Sequence, residues 1–180
     1  VPHHLKWADD YREGQVTLIY DTMWNGTRVL AEKIAAGIRE AAPATTVKLF
    51  NAARSDHNDL VTEVFKSKAI LVGSPTVNRG ILTAVAALLE AIKGLKFKGK
   101  RAAAFGCYGW SGEGNRLLSE NLRAAGFEVV GEGFRALWRP DGRAVEDAVA
   151  CGRRIAEDFR CGRQAPPPGY SPNPSGSSVL

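Results

Sequence analysis

Paired cysteines are missing from this chain. Its three, Cys107, Cys151 and Cys161, form no CxxC and no disulfide spacing. A small cross-linked secreted scaffold is thereby excluded, and reduced thiols in a cytoplasmic setting are expected. Metal ligands are scarce too: His3 and His4 adjoin in a polar leader and His57 stands alone, so no zinc-type spacing exists. No run approaches the roughly 18 consecutive apolar residues of a membrane span, and no signal peptide or internal repeat is recognisable. The chain begins with Val1 rather than Met, which places its expected native start upstream.

Charge of one sign is in modest excess. Lys and Arg total 24 against 19 Asp and Glu, a formal net charge of +5. No basic stripe carries interleaved aromatics, so a mixed solvated surface is expected rather than a nucleic-acid interface. The densest cluster, Lys93 to Arg101, falls between a helix and a strand. The excess can still steer an acidic partner.

What is present suits one well-buried domain: 180 residues, 44% of them hydrophobic. Apolar strands are predicted over 15–21, 47–50, 69–73, 102–105 and 127–130. Helices are predicted over 27–41, 59–67, 81–92, 114–125 and 141–160. The run Ala69-Ile70-Leu71-Val72-Gly73 is apolar on both faces, as a central parallel strand must be. Gly126 reads as a helix-ending glycine. In the last helix Val145, Val149, Ile155 and Phe159 are expected to face inward. Residues 1–14 form a polar leader with an aromatic pair, Trp7 and Tyr11. The domain then occupies 15–161, and the Pro/Ser/Gly-rich segment 162–180 is expected to be disordered, because it cannot bury enough apolar surface to offset ordering. Five strands alternating with helices imply a doubly wound α/β fold with right-handed crossovers, strand order 2-1-3-4-5.

Three loops that directly follow apolar strands carry the chemistry. The first is Tyr20-Asp21-Thr22-Met23-Trp24-Asn25-Gly26-Thr27. Hydroxyls of Thr22 and Thr27, the Asn25 amide and a bend at Gly26 precede a helix N-terminus, an anion-binding arrangement. It has no Lys, which excludes a triphosphate P-loop. The second is Ser74-Pro75-Thr76-Val77-Asn78-Arg79-Gly80, offering polar groups to a heterocycle edge, with Arg79 able to favour an anionic reduced ring. The third is Gly106-Cys107-Tyr108-Gly109-Trp110-Ser111-Gly112, where Tyr108 and Trp110 stand between glycines with no core to fill. Taken singly, each loop also reads as an ordinary turn or helix cap. Together, on one sheet edge, they describe a site for a planar cofactor carrying a single phosphate. Trp138 is read as packing structurally, with the cofactor rim as a lesser role.

The combination of Tyr20-Asp21-Thr22-Met23, Gly73-Ser74-Pro75-Thr76-Val77-Asn78 and Phe105-Gly106-Cys107-Tyr108-Gly109-Trp110-Ser111-Gly112 resembles the flavodoxin-like domain of flavodiiron proteins, also called A-type flavoproteins or flavorubredoxins. Gly126-Phe127-Glu128-Val129-Val130 and Trp138-Arg139-Pro140-Asp141 fit the same pattern. Thr83 departs from it, standing where the family pattern has proline. The resemblance implies a flavodoxin-like fold binding FMN without a covalent link. Thr22, Met23, Asn25, Gly26 and Thr27 would hold the phosphate. Pro75, Thr76, Val77, Asn78, Tyr108, Gly109, Trp110 and Gly112 would surround the ring. Trp24, Ser74, Gly80 and Cys107, in the same loops, complete the candidate set. No catalytic acid or base and no metal ligand is expected.

The resemblance further implies electron transfer from a rubredoxin-like or reductase donor to a diiron centre that reduces oxygen or nitric oxide. That centre would sit on a metallo-β-lactamase-like domain in the same or a separate chain, reached across a homodimer in the family's manner; the segment around Lys6-Trp7-Ala8 resembles the linker to it. The competing reading is a stand-alone flavodoxin-like NAD(P)H:quinone or FMN reductase. A receiver domain of similar topology is set aside, since Ser74 stands where an aspartate would end the third strand.

Overall fold

The computed structural model describes residues 13–160. The Trp7–Tyr11 pair, most of the 1–14 leader and the 162–180 tail lie outside the described residues. Strands β1 (Glu13–Tyr20), β2 (Thr46–Asn51), β3 (Ser67–Gly73) and β4 (Arg101–Tyr108) alternate with helices α1 (Gly26–Ala41), α2 (His57–Lys66), α3 (Thr83–Lys93) and α4 (Glu113–Ala124). Two short strands, β5 (Glu128–Val129) and β6 (Phe134–Leu137), precede α5 (Gly142–Arg160). The sheet is parallel, in the order β2-β1-β3-β4-β5, with β6 also paired to β4.

The predicted strand order is therefore found, with one correction. The fifth position holds two segments rather than one strand: β5 pairs with the start of β4 and β6 with its end. Between them Gly131 and Gly133 take φ of 65° and 81°, values that a strand cannot sustain and that glycine adopts at little steric cost. Element ends also shift. β1 starts at Glu13 and stops at Tyr20, and α3 begins at Thr83 behind Leu82 as its cap residue.

Strand alternation sorts the core into two layers. Val16, Leu18 and Tyr20 of β1, with Leu71 and Phe105, meet Leu30, Ile34 and Ile38 of α1 and Ala148, Ile155 and Ala156 of α5. Within α5, Val145 and Val149 are only partly buried, so the small Ala148 lies against the core more fully than the valines expected there. Ile19, Ile70, Val72, Ala102 and Ala104 meet α2, α3 and α4 through Leu60, Val64, Val85, Leu88, Leu89, Ile92, Leu118 and Leu122. Each fully buried leucine or isoleucine contributes about 1.5 to 3 kcal/mol. Both sheet faces are covered, which is why β3 is apolar throughout.

Polar residues gather at the N-terminal edge of the sheet. Buried Gln15, Thr17 and Ser67 bond to one another, and Gln15 Nε2 also donates to Glu63 Oε2 at 2.7 Å. Buried Lys100 donates to the carbonyls of Val64, Phe65 and Ser67, meeting the unpaired acceptors where α2 ends. The opposite edge, where β1, β3, β4 and β6 end, is left for the loops.

Candidate functional site

A cleft of about 820 Å³ opens at this C-terminal edge. In open wound sheets that is where ligands bind, beside the strand pair at which the winding reverses. Here that pair is β1 and β3, joined by Asp21 N donating to Gly73 O at 3.0 Å.

The first loop brings Thr22, Met23, Trp24, Gly26 and Thr27 to the cleft wall. Asn25 does not line it. Its role is conformational: it sits at φ 62° as the residue preceding α1, with no side-chain cap bond to the helix. The first N–H groups of α1 are consequently left without the usual capping oxygen, and the first turn carries no acidic residue. Two hydroxyls, Thr22 Oγ1 and Thr27 Oγ1, are buried there without a hydrogen-bond partner. An orphaned buried hydroxyl costs about 1 to 3 kcal/mol, and two of them beside an uncapped helix N-terminus fit a phosphate group. Gly26 packs closely on the floor of the loop: a β-carbon on it would lie 3.0 Å from Cys107 Sγ, a tight contact.

Cys107 lies beneath this loop. Burial pushes its thiol up to about 11, with the Thr27 hydroxyl offsetting part of the rise without meeting hydrogen-bond geometry. At neutral pH it is a protonated, apolar floor.

Pro75, Thr76, Val77, Asn78 and Arg79 form a second wall. Ser74 does not reach the cleft. Its Oγ donates to Pro75 O and accepts from Leu82 N, both at 2.9 Å, tying the loop to the start of α3. Gly80 likewise supports from behind, exchanging two backbone hydrogen bonds with Val77. Between them Asn78 and Arg79 take φ of 49° and 58°, the geometry of a type I′ turn. For an arginine that is strained backbone, a feature that collects at functional sites. Thr76 Oγ1 accepts from Gly114 N at 3.2 Å and fastens this loop to α4.

Cys107, Tyr108, Gly109, Trp110 and Ser111 form the third wall, and Gly112 caps α4 just outside it. Ser111 hydrogen bonding, followed by backbone bonding and the charges of Arg79 and Arg116, holds the Glu113 carboxyl below its ordinary value. Trp110 is 91% exposed and meets Trp138 edge to face at 5.1 Å.

Sequence reasoning undervalued Trp138 and omitted Arg139, and both line the cleft. Trp138 N donates to Tyr108 O at 2.7 Å, its φ is 53°, and its ring covers Gly109, where a β-carbon would lie 2.9 Å away. The available signal was positional: the loop after the fifth strand must emerge at the same sheet edge. The lining contains two arginines and no carboxylate.

The flavodoxin family model matches residues 18–152. The chain belongs to the flavodoxin family. It is 47% identical over 156 residues to the anaerobic nitric oxide reductase flavorubredoxin of Pectobacterium carotovorum, covering 87% of this chain and 31% of that protein. Its counterpart in Aliivibrio fischeri is 45% identical over 159 residues, covering 88% of this chain and 32% of that protein. The chain thus spans about a third of the length of these curated relatives.

In structure it is similar to rubredoxin oxygen:oxidoreductase of Desulfovibrio gigas, with TM-score 0.82, 32% identity, and coverage of 88% of this chain and 39% of that one. It is also similar to the flavodiiron protein of Giardia intestinalis, with TM-score 0.82, 26% identity, and coverage of 88% and 39%. An archaeal flavodoxin aligns over 81% of this chain and 99% of its own, with TM-score 0.71 and 27% identity. Family membership implies a flavin cofactor. No helix among the described residues is long and apolar enough to cross a membrane, and none of their His, Cys, Asp and Glu residues gather as a metal site.

Proposed function

We propose that the chain is an FMN-binding electron-transfer domain of the flavodiiron type. It would take electrons from a rubredoxin-like or reductase donor and pass them to a diiron oxygen- or nitric-oxide-reducing centre. That centre would belong to a metallo-β-lactamase-like domain, in the same or a separate chain, with a homodimer as the assembly that brings the two together. Reduced, buried Cys107 suits a cytoplasmic location. The observation that carries the reading is the pair of unpartnered hydroxyls, Thr22 and Thr27, at the uncapped start of α1 and on the wall of an aromatic cleft.

In this reading Thr22, Thr27 and the first amides of α1 bind the phosphate, with Gly26 allowing close approach. The walls formed by Pro75, Thr76, Val77 and Asn78 and by Tyr108, Trp110 and Trp138 orient the ring and exclude water from its faces. The flavin, when bound, supplies the one- and two-electron chemistry. Arg79 and Arg139 place positive charge at the rim, favouring the electron-rich form of whatever ring lies between them. Exposed Trp24, Trp110 and Trp138 leave an apolar margin on which a partner domain can seat.

The deciding experiment is titration of the apoprotein with FMN, followed by quenching of flavin fluorescence and by mass analysis of the retained cofactor. Stoichiometric binding of FMN is expected. A protein that stays colourless in excess FMN removes the reading. Steady NAD(P)H-driven quinone turnover by the chain alone would transfer it to the reductase class.

A further inference from the structure

Cys107 is the last residue of β4 on the sheet face beneath α1, and the flavin reading above gives it no task beyond filling space. It shares that face with Phe105 and packs in the same core layer as Leu30 and Ile34. Its sulfur sits against the first turn of α1, where a β-carbon on Gly26 would lie 3.0 Å from Sγ. Cys107 is only 8% exposed, yet it lines the cleft together with Gly26 and Thr27. Thr27, 1% exposed, has no hydrogen-bond partner for its Oγ1. The thiol thus adjoins a buried hydroxyl without satisfying it.

We propose that Cys107 is a specificity-determining residue: a floor that withholds a hydrogen bond from Thr27 and so reserves that hydroxyl for a phosphate monoester. The inference rests on the FMN reading given above and assigns a role to a residue which that reading leaves as packing. Sulfur is a weak donor and a weak acceptor, whereas a hydroxyl in its place would pair with Thr27 inside the protein. The difference matters because a ligand gains most from a buried polar group that nothing else satisfies. With sulfur beneath, the phosphate is the first partner that Thr27 meets, and the bond to its ionised oxygen is charge-assisted. With an oxygen beneath, the phosphate would only exchange one bond for another. The neutrality of the sulfur acts in the same direction. Burial pushes the thiol up to about 11, so no anion lies under the phosphate at neutral pH. Neutral floor and unpartnered hydroxyl together favour FMN over riboflavin, which has the same ring and ribityl chain but no phosphate.

The test measures the dissociation constants of FMN and of riboflavin on the flavin-free full chain by fluorescence quenching. Its readout is the preference for FMN, the ratio of the two constants. Cys107→Ser should lower that preference by about five- to ten-fold, the worth of one hydrogen bond, through weaker binding of FMN. Cys107→Ala gives Thr27 no partner. It should lower the melting temperature through the cavity it leaves and weaken both flavins together, with the preference retained. In a Thr27→Val background, Cys107→Ser should leave the preference where Thr27→Val alone puts it. A packing role would instead move the serine and alanine variants together and act alike in both backgrounds. A parental preference in Cys107→Ser, or an equal drop in the Thr27→Val background, overturns the inference while leaving the flavin reading intact. A parent chain that retains neither flavin removes that reading, and the role of Cys107 with it.

Discussion

Gly152 of α5 lies directly against Gly37 of α1: a β-carbon on Gly152 would stand 3.1 Å from the Gly37 Cα and would overlap the Ile34 carbonyl oxygen. A β-carbon on Gly37 would in turn meet the Val149 backbone, 2.9 Å from its carbonyl carbon. The two helices therefore touch backbone to backbone, and that contact keeps α5 tight against α1.

Alanine at either glycine should destabilise the fold, although helix propensity alone favours alanine by about 1 kcal/mol. The clash is with backbone on both sides, so relief requires the helices to separate, at an overpacking cost of about 1 to 3 kcal/mol or more. Urea denaturation of Gly152→Ala should show a lower midpoint than the parent chain. Gly142→Ala, which meets nothing within 4 Å, should not. A parent-like midpoint for Gly152→Ala would mean that α5 sits further out than described.

Thr27→Val should change stability and flavin binding in opposite directions. Thr27 is 1% exposed and its hydroxyl has no partner. Replacing an unmet buried hydroxyl with a methyl of similar shape removes a desolvation cost of about 1 to 3 kcal/mol, so the apoprotein should melt at a higher temperature. FMN should bind more weakly because a phosphate donor is gone, whereas riboflavin, which lacks the phosphate, should bind as it does to the parent. Equal weakening of both flavins would place Thr27 against the ring rather than the phosphate.

Trp110→Ala and Trp138→Ala should each loosen FMN by roughly 2- to 12-fold, the range given by aromatic contacts of about 0.5 to 1.5 kcal/mol. Removing either also ends the edge-to-face pair at 5.1 Å, so the double variant should cost less than the sum of the two. Trp7→Ala, in the leader, should retain FMN like the parent. Fluorescence titration of the four variants and the parent checks this, and additive losses would argue that the two rings act separately.

Much of this architecture was legible because burial imposes a pattern. The two-sided apolar run of β3 and the single apolar faces of α1 and α3 follow from what each element touches. Trp138 was not legible. Its left-handed backbone has no marker in a non-glycine residue, and β6 before it is only four residues long, too short for alternation to register. The break at Gly131 and Gly133 was hidden for a related reason: isolated glycines signal a bend without saying that pairing resumes beyond it. Ser74 misled in the other direction. A serine ending a central strand suggests a ligand, yet its hydroxyl is consumed within the loop.

Glu63 makes stability dependent on acid. Its carboxylate accepts from Gln15 at 2.7 Å and Lys48 at 2.8 Å, with Lys66 at 3.5 Å, and its side chain is 12% exposed. Burial by itself would raise its pKa; the bonds from Lys48 and Gln15, reinforced by the lysine charges, outweigh that and hold it below the ordinary value. Because the folded state holds the proton less tightly than the unfolded chain, stability rises with pH across this titration. The contribution is complete above the unfolded value of about 4.3 and is lost as pH falls through the depressed folded value. At pH 7, Glu63→Gln should cost about 2 kcal/mol, the scale of hydrogen bonds to a charged group. At pH 3 the gap between variant and parent should narrow. Urea midpoints for the two proteins at both pH values decide it, and a gap that widens in acid would mean that the carboxylate is protonated in the folded state already.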